Sequence, residues 1–418
     1  MVFNGTCAVA ESGACLCATC AYTWRFILLR TGMNDLTSTE KIAAPAVSFP
    51  LALATPAALG FHEPALDKLR ALIAQHIAEG RYPGAQIALA RHGQVALFES
   101  FGHAAHERPA AGDTLWLLFS NTKVLTASGI WALVEDGKLS FFDRVADHIP
   151  EFAQHGKGEV TVAQLISHRG GFPSANCTPT AWTDHVEMRK QVCHFTLEWT
   201  PGTRLQYHPR SAFWVAAALI EAINGGDYRD FLRTRVIEPL GVARELFVGV
   251  PDAEHGRIAS IYEPDATGAQ QLLQQENTPE ARRAGIPSSG GYATARAMAA
   301  FYQMLLNGGK LNGERIFSKR LIEFVTRNHT GDMHDYGMDM PMHRGLGVHV
   351  RGDTIRIRGL GGIGNPRVFG HGGVGSSYCW GDPESGVSFA YITNSRVPDP
   401  WHSQRLDRVA NIVHSAID

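Results

Sequence analysis

The chain has 418 residues, 44% of them hydrophobic and 19% charged, the proportions of a folded protein with a large core rather than of a disordered or fibrous one. Its 38 basic and 40 acidic residues leave a formal net charge of −2 at pH 7, which provides no basic field for a phosphate backbone and excludes nucleic acid as an expected partner. No run of 18 apolar residues occurs, and Glu11, Arg25 and Arg30 interrupt the stretch that an export signal would need, so the expectation is a cytoplasmic protein without membrane insertion.

Cys7, Cys15, Cys17 and Cys20 crowd the start of the chain, while Cys177, Cys193 and Cys379 are scattered. An odd count over this length is no disulfide framework, and the early cluster lacks a second pair or a histidine at zinc spacing; no metal is expected. The stretch 43–60 is apolar, yet Pro45, Pro50 and Pro56 forbid a helix, so it reads as an extended arm. Residues 1–60 are taken as an N-terminal extension, dispensable or, over 1–32, a mis-assigned start.

Leu66, Leu69, Leu72, Ile73 and Ile77 recur at helical spacing and predict a helix over 63–78. Strand-like runs at 85–91 and 94–101, separated by His92-Gly93, predict a hairpin. His103 and His106 beyond it lack a third ligand and read as surface histidines. A helix is expected from Ser120 to Val134, buried through Val124, Ala127, Ile130 and Trp131 and stopped by Asp136-Gly137. Further helices are expected at 162–168, 211–223, 228–237, 294–306 and 319–326, short strands at 367–370, 376–381 and 387–393, and a closing helix at 403–416. The segments 177–195 and 331–344 read as irregular loops. Strands near both ends with helices between them imply an α+β fold: an antiparallel sheet flanked by helices, with a mostly helical second lobe. One domain over 61–418 is expected, its α/β lobe at 61–118 and 290–418 and its helical lobe at 119–289.

Ser120-Asn-Thr-Lys123 opens a predicted helix, where positions i and i+3 share a face and the amine can reach the hydroxyl. A serine is a poor nucleophile at neutral pH and needs such a base. Four residues alone are weak, since Ser38-Thr-Glu-Lys41 fits the same pattern; no apolar helix follows it, and it is set aside on that ground.

Seven ordered segments add to this pattern: Leu118-Phe-Ser-Asn-Thr-Lys123, Leu133-Val-Glu-Asp-Gly-Lys-Leu139, Leu165-Ile-Ser-His-Arg-Gly-Gly171, Pro201-Gly-Thr-Arg-Leu-Gln-Tyr207, Glu238-Pro-Leu-Gly241, Ser289-Gly-Gly-Tyr-Ala-Thr-Ala295 and Phe369-Gly-His-Gly-Gly373. Together they resemble the class C β-lactamases, serine D-Ala-D-Ala peptidases and family VIII carboxylesterases over about residues 64–416. The resemblance implies that Ser120 is acylated, that Lys123 shares its proton, and that Tyr207 acts as general base and then as general acid. It implies a substrate-binding strand at His371, Gly372 and Gly373, and an oxyanion hole made by the backbone N–H groups of Ser120 and Val374. Two departures turn the expectation towards the esterases. Pro209 stands where many of these enzymes have an asparagine amide, and His371 replaces a lysine that binds a substrate carboxylate.

The expected activity is hydrolysis of an uncharged short-chain acyl ester, a small molecule, through a covalent acyl-enzyme and without a cofactor. The alternatives are an amide hydrolase of the same fold (a D-amino-acid peptidase, a linear-amide hydrolase or a β-lactamase) or a non-catalytic scaffold. Unperturbed Lys and Tyr titrate at about 10.4 and 10, so one must be depressed by about two to three units to act as a base near neutrality, and an alkaline optimum is expected. Gly370-His-Gly-Gly-Val-Gly375 matches a dinucleotide fingerprint, but 376–380 alternates like a strand where that fingerprint needs a helix. Trp116, Trp131, Trp199 and Trp214 are assigned to the core, and Trp182, Tyr336 and Trp380 are candidates for an acyl pocket.

Overall fold

The structure is a computed structural model describing residues 49–353 and 359–417. Cys7, Cys15, Cys17, Cys20 and the Ser38–Lys41 motif lie outside the described residues. In chain order, the elements that build the site are β1 (Ala52–Leu53), α1 (Glu63–Ala78), β2 (Gly84–Arg91), β3 (Gln94–Ala105), β4 (Trp116–Leu117) and α2 (Thr122–Glu135). They continue with α3 (Val162–Ile166), α4 (His185–Cys193), α5 (Ser211–Asn224), α6 (Tyr228–Leu232), β5 (Leu246–Val248), β6 (Gly291–Ala293), α7 (Ala295–Leu306) and α8 (Lys319–Val325). The last are β7 (His349–Val350), β8 (Phe369–Gly373), β9 (Ser377–Asp382), β10 (Val387–Thr393) and α9 (Trp401–Ser415).

The main sheet runs β1-β3-β2-β10-β9-β8-β7, so the C-terminal strands complete the N-terminal hairpin. Every pair in this path is antiparallel except β1 with β3, where Ala52 and Leu53 lie alongside Gln94 and Val95. Side chains alternate along β2 and β10 because the period of a strand is two. Ile87, Leu89, Phe389 and Tyr391 join Leu66, Leu69, Leu406 and Val409 of α1 and α9 on one face. The smaller Ala88, Ala90 and Ala390 face Ala297 and Ala300 of α7 on the other, which lets that helix lie close to the sheet.

The helical lobe is built around α2 and α5, whose buried faces carry Ile130, Trp131, Trp214 and Leu219. A second, three-stranded sheet, β4-β6-β5, stands between the lobes. Sequence periodicity does not reveal it, because strands of two or three residues are too short to show alternation. The segment 177–195, expected to be loop, contains α4; Asp184 caps it by accepting from the Glu187 N–H at 2.9 Å, a signal that was present in the sequence. The helix expected at 228–237 begins as α6 and then widens into a π-helical turn over Arg233–Ile237.

The boundary at residue 61 is also corrected. Leu51 and Leu59 are buried, β1 extends the main sheet, and the guanidinium of Arg91 donates to the Leu59 carbonyl at 2.7 Å, so the arm from residue 49 onward is part of the catalytic body. A chain starting at residue 61 is expected to lose about 1.5–3 kcal/mol for each of these two leucines and to unfold at lower urea than one starting at residue 49. Equal unfolding midpoints would contradict this.

Candidate active site

Ser120, the candidate nucleophile, sits on a turn pinned from three sides. The Leu118 N–H donates to the Gly291 carbonyl at 2.9 Å, and the Gly291 N–H donates back to Thr122 Oγ1 at 2.8 Å, which fixes the approach from β4. Phe119 then takes φ +46°, a conformation costly for a side chain of that size, and turns the backbone so that Ser120 falls on a 3₁₀ turn, Phe119–Asn121, ahead of α2. The Asn121 amide donates to Ser377 Oγ at 2.8 Å and so ties the turn to β9. Gly373 lies alongside: a Cβ on it would sit 2.5 Å from the Leu118 carbonyl oxygen, which accounts for glycine at the end of β8.

One helical turn on, the fully buried Lys123 amine lies 2.9 Å from Ser120 Oγ, 2.8 Å from the Pro209 carbonyl oxygen and 3.0 Å from the Ser288 carbonyl oxygen. Carbonyls can only accept. When the amine is neutral they take its two N–H bonds, and its lone pair is left for the serine hydroxyl. Burial holds the Lys123 amine well below its ordinary pKa, and the positive charges of Arg210 and Arg344 act in the same direction.

Tyr207 completes the group, its ring centre 5.2 Å from the Lys123 amine. Burial pushes its phenol up to about 12, against the opposing pull of the neighbouring Ser120 hydroxyl and of Arg344. Of the two candidate bases, the lysine is the one depressed. The tyrosine stays a neutral proton donor.

A set of buried polar groups that sequence reasoning missed holds Tyr207 in place. The Asp335 carboxylate accepts from the Tyr207 backbone N–H at 3.1 Å and forms an ion pair with Arg344 at 2.5 Å, both side chains being almost wholly buried. The Arg344 guanidinium lies 5.1 Å from the centre of the Tyr207 ring. His208 accepts from the Phe172 N–H at 3.2 Å through Nε2, and its Nδ1–H donates to the Gln206 carbonyl at 2.7 Å. This pairing requires a neutral ring, in keeping with burial lowering its pKa to about 4. His168, at φ +64°, accepts from the His208 N–H at 3.0 Å and packs 4.6 Å from the Tyr207 ring. The only sequence signal was the placement of His168 and His208 within or beside quoted motifs; Asp335 and Arg344 fell in a segment read as loop.

The strand motif sits differently from the expectation. His371 is 1% exposed, with its ring 6.2 Å from that of Tyr207 and 4.0 Å from that of His349, and it lies behind the tyrosine rather than in the open cleft. Burial, with Lys123 next in weight, holds its pKa well below the ordinary histidine range, so it brings no cation to the substrate. Neither Gly372 nor Gly373 lines the cleft, whereas Val374 does, at the turn that follows, 55% exposed beside Ser120. The buried Arg405 of α9 donates to the carbonyls of Gly375 at 2.8 Å and Ser376 at 3.1 Å, which fixes that turn.

The cleft measures about 390 Å³ and is lined by Leu117, Phe119, Ser120, Trp182, Tyr207, Trp214, Tyr292 and Val374 among others. Trp182 is where the acyl pocket was expected, and Trp214, assigned to the core, also reaches it. Trp380 is instead buried and stacked on His414, and Tyr336 is 60% exposed beside Arg204. Trp116 and Trp131 are core residues, Trp199 is half-buried, and His103 and His106 are exposed. After Gly375 the chain enters β9, so the helix a dinucleotide site requires is absent there.

A serine hydroxyl held between a neutral amine and a phenol, in an α+β fold with a helical lobe, is the arrangement of a serine hydrolase. The family model described as Beta-lactamase matches residues 69–414, and the chain belongs to that family. It is 30% identical over 347 residues to the esterase/β-lactamase LipL of Mycobacterium tuberculosis, covering 75% of this chain and 77% of LipL. It is 25% identical over 395 residues to a Salmonella gallinarum protein that carries a D-alanyl-D-alanine carboxypeptidase name, covering 85% of this chain and 89% of that one. Among solved structures, a family VIII carboxylesterase superposes with a TM-score of 0.72 at 28% identity, over 84% of this chain and 98% of that one. Among the described residues, no helix is long and apolar enough to cross a membrane.

The pH dependence follows from Lys123. The reactive form is the neutral amine, so kcat/KM should rise with pH through the lowered pKa of Lys123 and then stay level, Tyr207 ionising only near 12. The plateau is expected to begin below the ordinary lysine pKa. Arg344→Gln removes a charge that disfavours the lysine cation, so the rising limb should move to higher pH. Breaking the buried pair with Asp335 should also cost about 3–5 kcal/mol of stability. A pH–rate profile unchanged in a folded Arg344→Gln protein would contradict the assignment of the limb to Lys123.

Proposed function

We propose that the chain is a serine carboxylesterase that hydrolyses short-chain acyl esters through an acyl-enzyme on Ser120. The observation that carries the reading is the buried Lys123 amine, 2.9 Å from Ser120 Oγ and bonded to the Pro209 and Ser288 carbonyls. Ser120 Oγ attacks the ester carbonyl carbon while its proton passes to Lys123 Nζ. The carbonyl oxygen takes up the negative charge against the N–H groups of Ser120 and Val374. As the bond to the alcohol oxygen breaks, that oxygen takes the Tyr207 proton, and the phenol is reprotonated from Lys123. Water, deprotonated through the same pair, then releases the acid and regenerates the serine.

The small cleft, with Trp182, Trp214 and Val374 on its walls, supports a short acyl group, and the family VIII carboxylesterase among the similar structures supports ester chemistry. The second reading, an amide hydrolase, is favoured by the carboxypeptidase and β-lactamase names of two relatives. Against it stands the missing amide donor at Pro209.

The test compares wild type with Ser120→Ala on p-nitrophenyl acetate and butyrate, nitrocefin and a D-Ala-D-Ala peptide. Ester turnover is expected to dominate and to fall on the order of 10³-fold or more in the variant. Preferential turnover of the lactam or peptide supports the amide hydrolase, and no turnover with no mass shift after fluorophosphonate treatment supports the scaffold.

A further inference from the structure

The cleft holds a cation that the chemistry above does not use. Arg210 lines it together with Ser120 and Tyr207, immediately after the Pro209 carbonyl that receives the Lys123 amine, and it caps the start of α5. Its guanidinium is close enough to Lys123 to rank after burial among the influences on that amine. Its side chain makes no hydrogen bond, ion pair or ring contact with any described residue. The other arginine of the cleft, Arg396, is neutralised: it is paired with Glu263 and lies 4.0 Å from Glu276, itself a lining residue. An exposed guanidinium bordering the cleft, with no ion pair to a described residue, is a ready partner for a carboxylate, which it can bind through two parallel N–H donors.

The geometry points to Arg210 as the residue that binds a carboxylate on the substrate, so that the preferred esters carry an anionic group a few bonds from the scissile carbonyl. This rests on the esterase reading and changes its substrate class from the uncharged ester expected from the sequence. The position vacated by a strand lysine is closed, because His371 is buried and uncharged, and the cation is supplied instead from the Tyr207 side of the cleft.

The test uses matched pairs that differ in one negative charge. For the acyl side, mono-p-nitrophenyl glutarate is compared with p-nitrophenyl pentanoate; for the alcohol side, 4-acetoxybenzoate is compared with its methyl ester. In each pair the readout is the ratio of kcat/KM for the anionic to the neutral ester, so any effect of Arg210 on Lys123 cancels. In Arg210→Gln the ratio is expected to fall about tenfold or more for at least one pair, mainly through KM, the size of one lost charge-assisted hydrogen bond. Arg210→Lys should restore part of it, and added salt should lower the wild-type ratio. Ratios unchanged in both pairs overturn the assignment.

If the wild type turns over no ester, the esterase reading fails on its own. Binding of monoethyl glutarate to Ser120→Ala, titrated with and without Arg210→Gln, then decides the arginine's role: weaker binding in the double variant supports it, and equal binding overturns it.

Discussion

A lysine side chain buried among backbone carbonyls is the constraint on which the site depends. An ammonium in that position would be costly to desolvate, and two neighbouring guanidinium groups raise the cost further, so the amine is held neutral while it touches the serine. The fold supplies what makes this tolerable. The Pro209 and Ser288 carbonyls come from segments far apart in the chain, one preceding α5 and one preceding β6, and both converge on the first turn of α2. The proline thus has a part in the site despite lacking an N–H, through its carbonyl.

The same economy governs Tyr207. Its backbone is tied to Asp335, its ring is flanked by Arg344 and His168, and the loop that carries it is locked by a neutral His208. The Asp335–Arg344 pair is unremarkable as a source of stability, since desolvation offsets much of the attraction between buried ions. Its effect is local: a fixed positive charge beside a phenol and an amine, both of which must be uncharged before substrate arrives.

The sheet and the helical lobe meet at the nucleophile. Leu118 is bound to β6, Gly373 closes in on its carbonyl, and Asn121 reaches Ser377, so the strained turn at Phe119 is held by the main sheet, the small sheet and α2 together. The turn carrying Val374 is in turn held by Arg405 from the last helix. The proposed oxyanion site, two N–H groups from distant segments, would be only as rigid as these ties, which gives the buried Arg405 a part in it.

The sequence by itself determined the long elements and pointed to the candidate trio. Helical periodicity marked α1, α2, α5, α7 and α9, alternation marked β2, β3 and β10, and the motif around Ser120 with its ordered companions marked the hydroxyl, the amine and the phenol. The elements and the Ser120–Lys123 pair are properties of local spacing, which survives in the linear chain, whereas Tyr207 was marked by the resemblance to the family. Only the tertiary structure decided that Lys123 rather than Tyr207 has its pKa depressed, that His371 is buried behind the tyrosine, that Trp214 reaches the cleft while Trp380 does not, and that Asp335 and Arg344 belong to the site. Each of these depends on desolvation, or on which distant backbone groups arrive beside a side chain, and neither is encoded in the spacing of neighbouring residues.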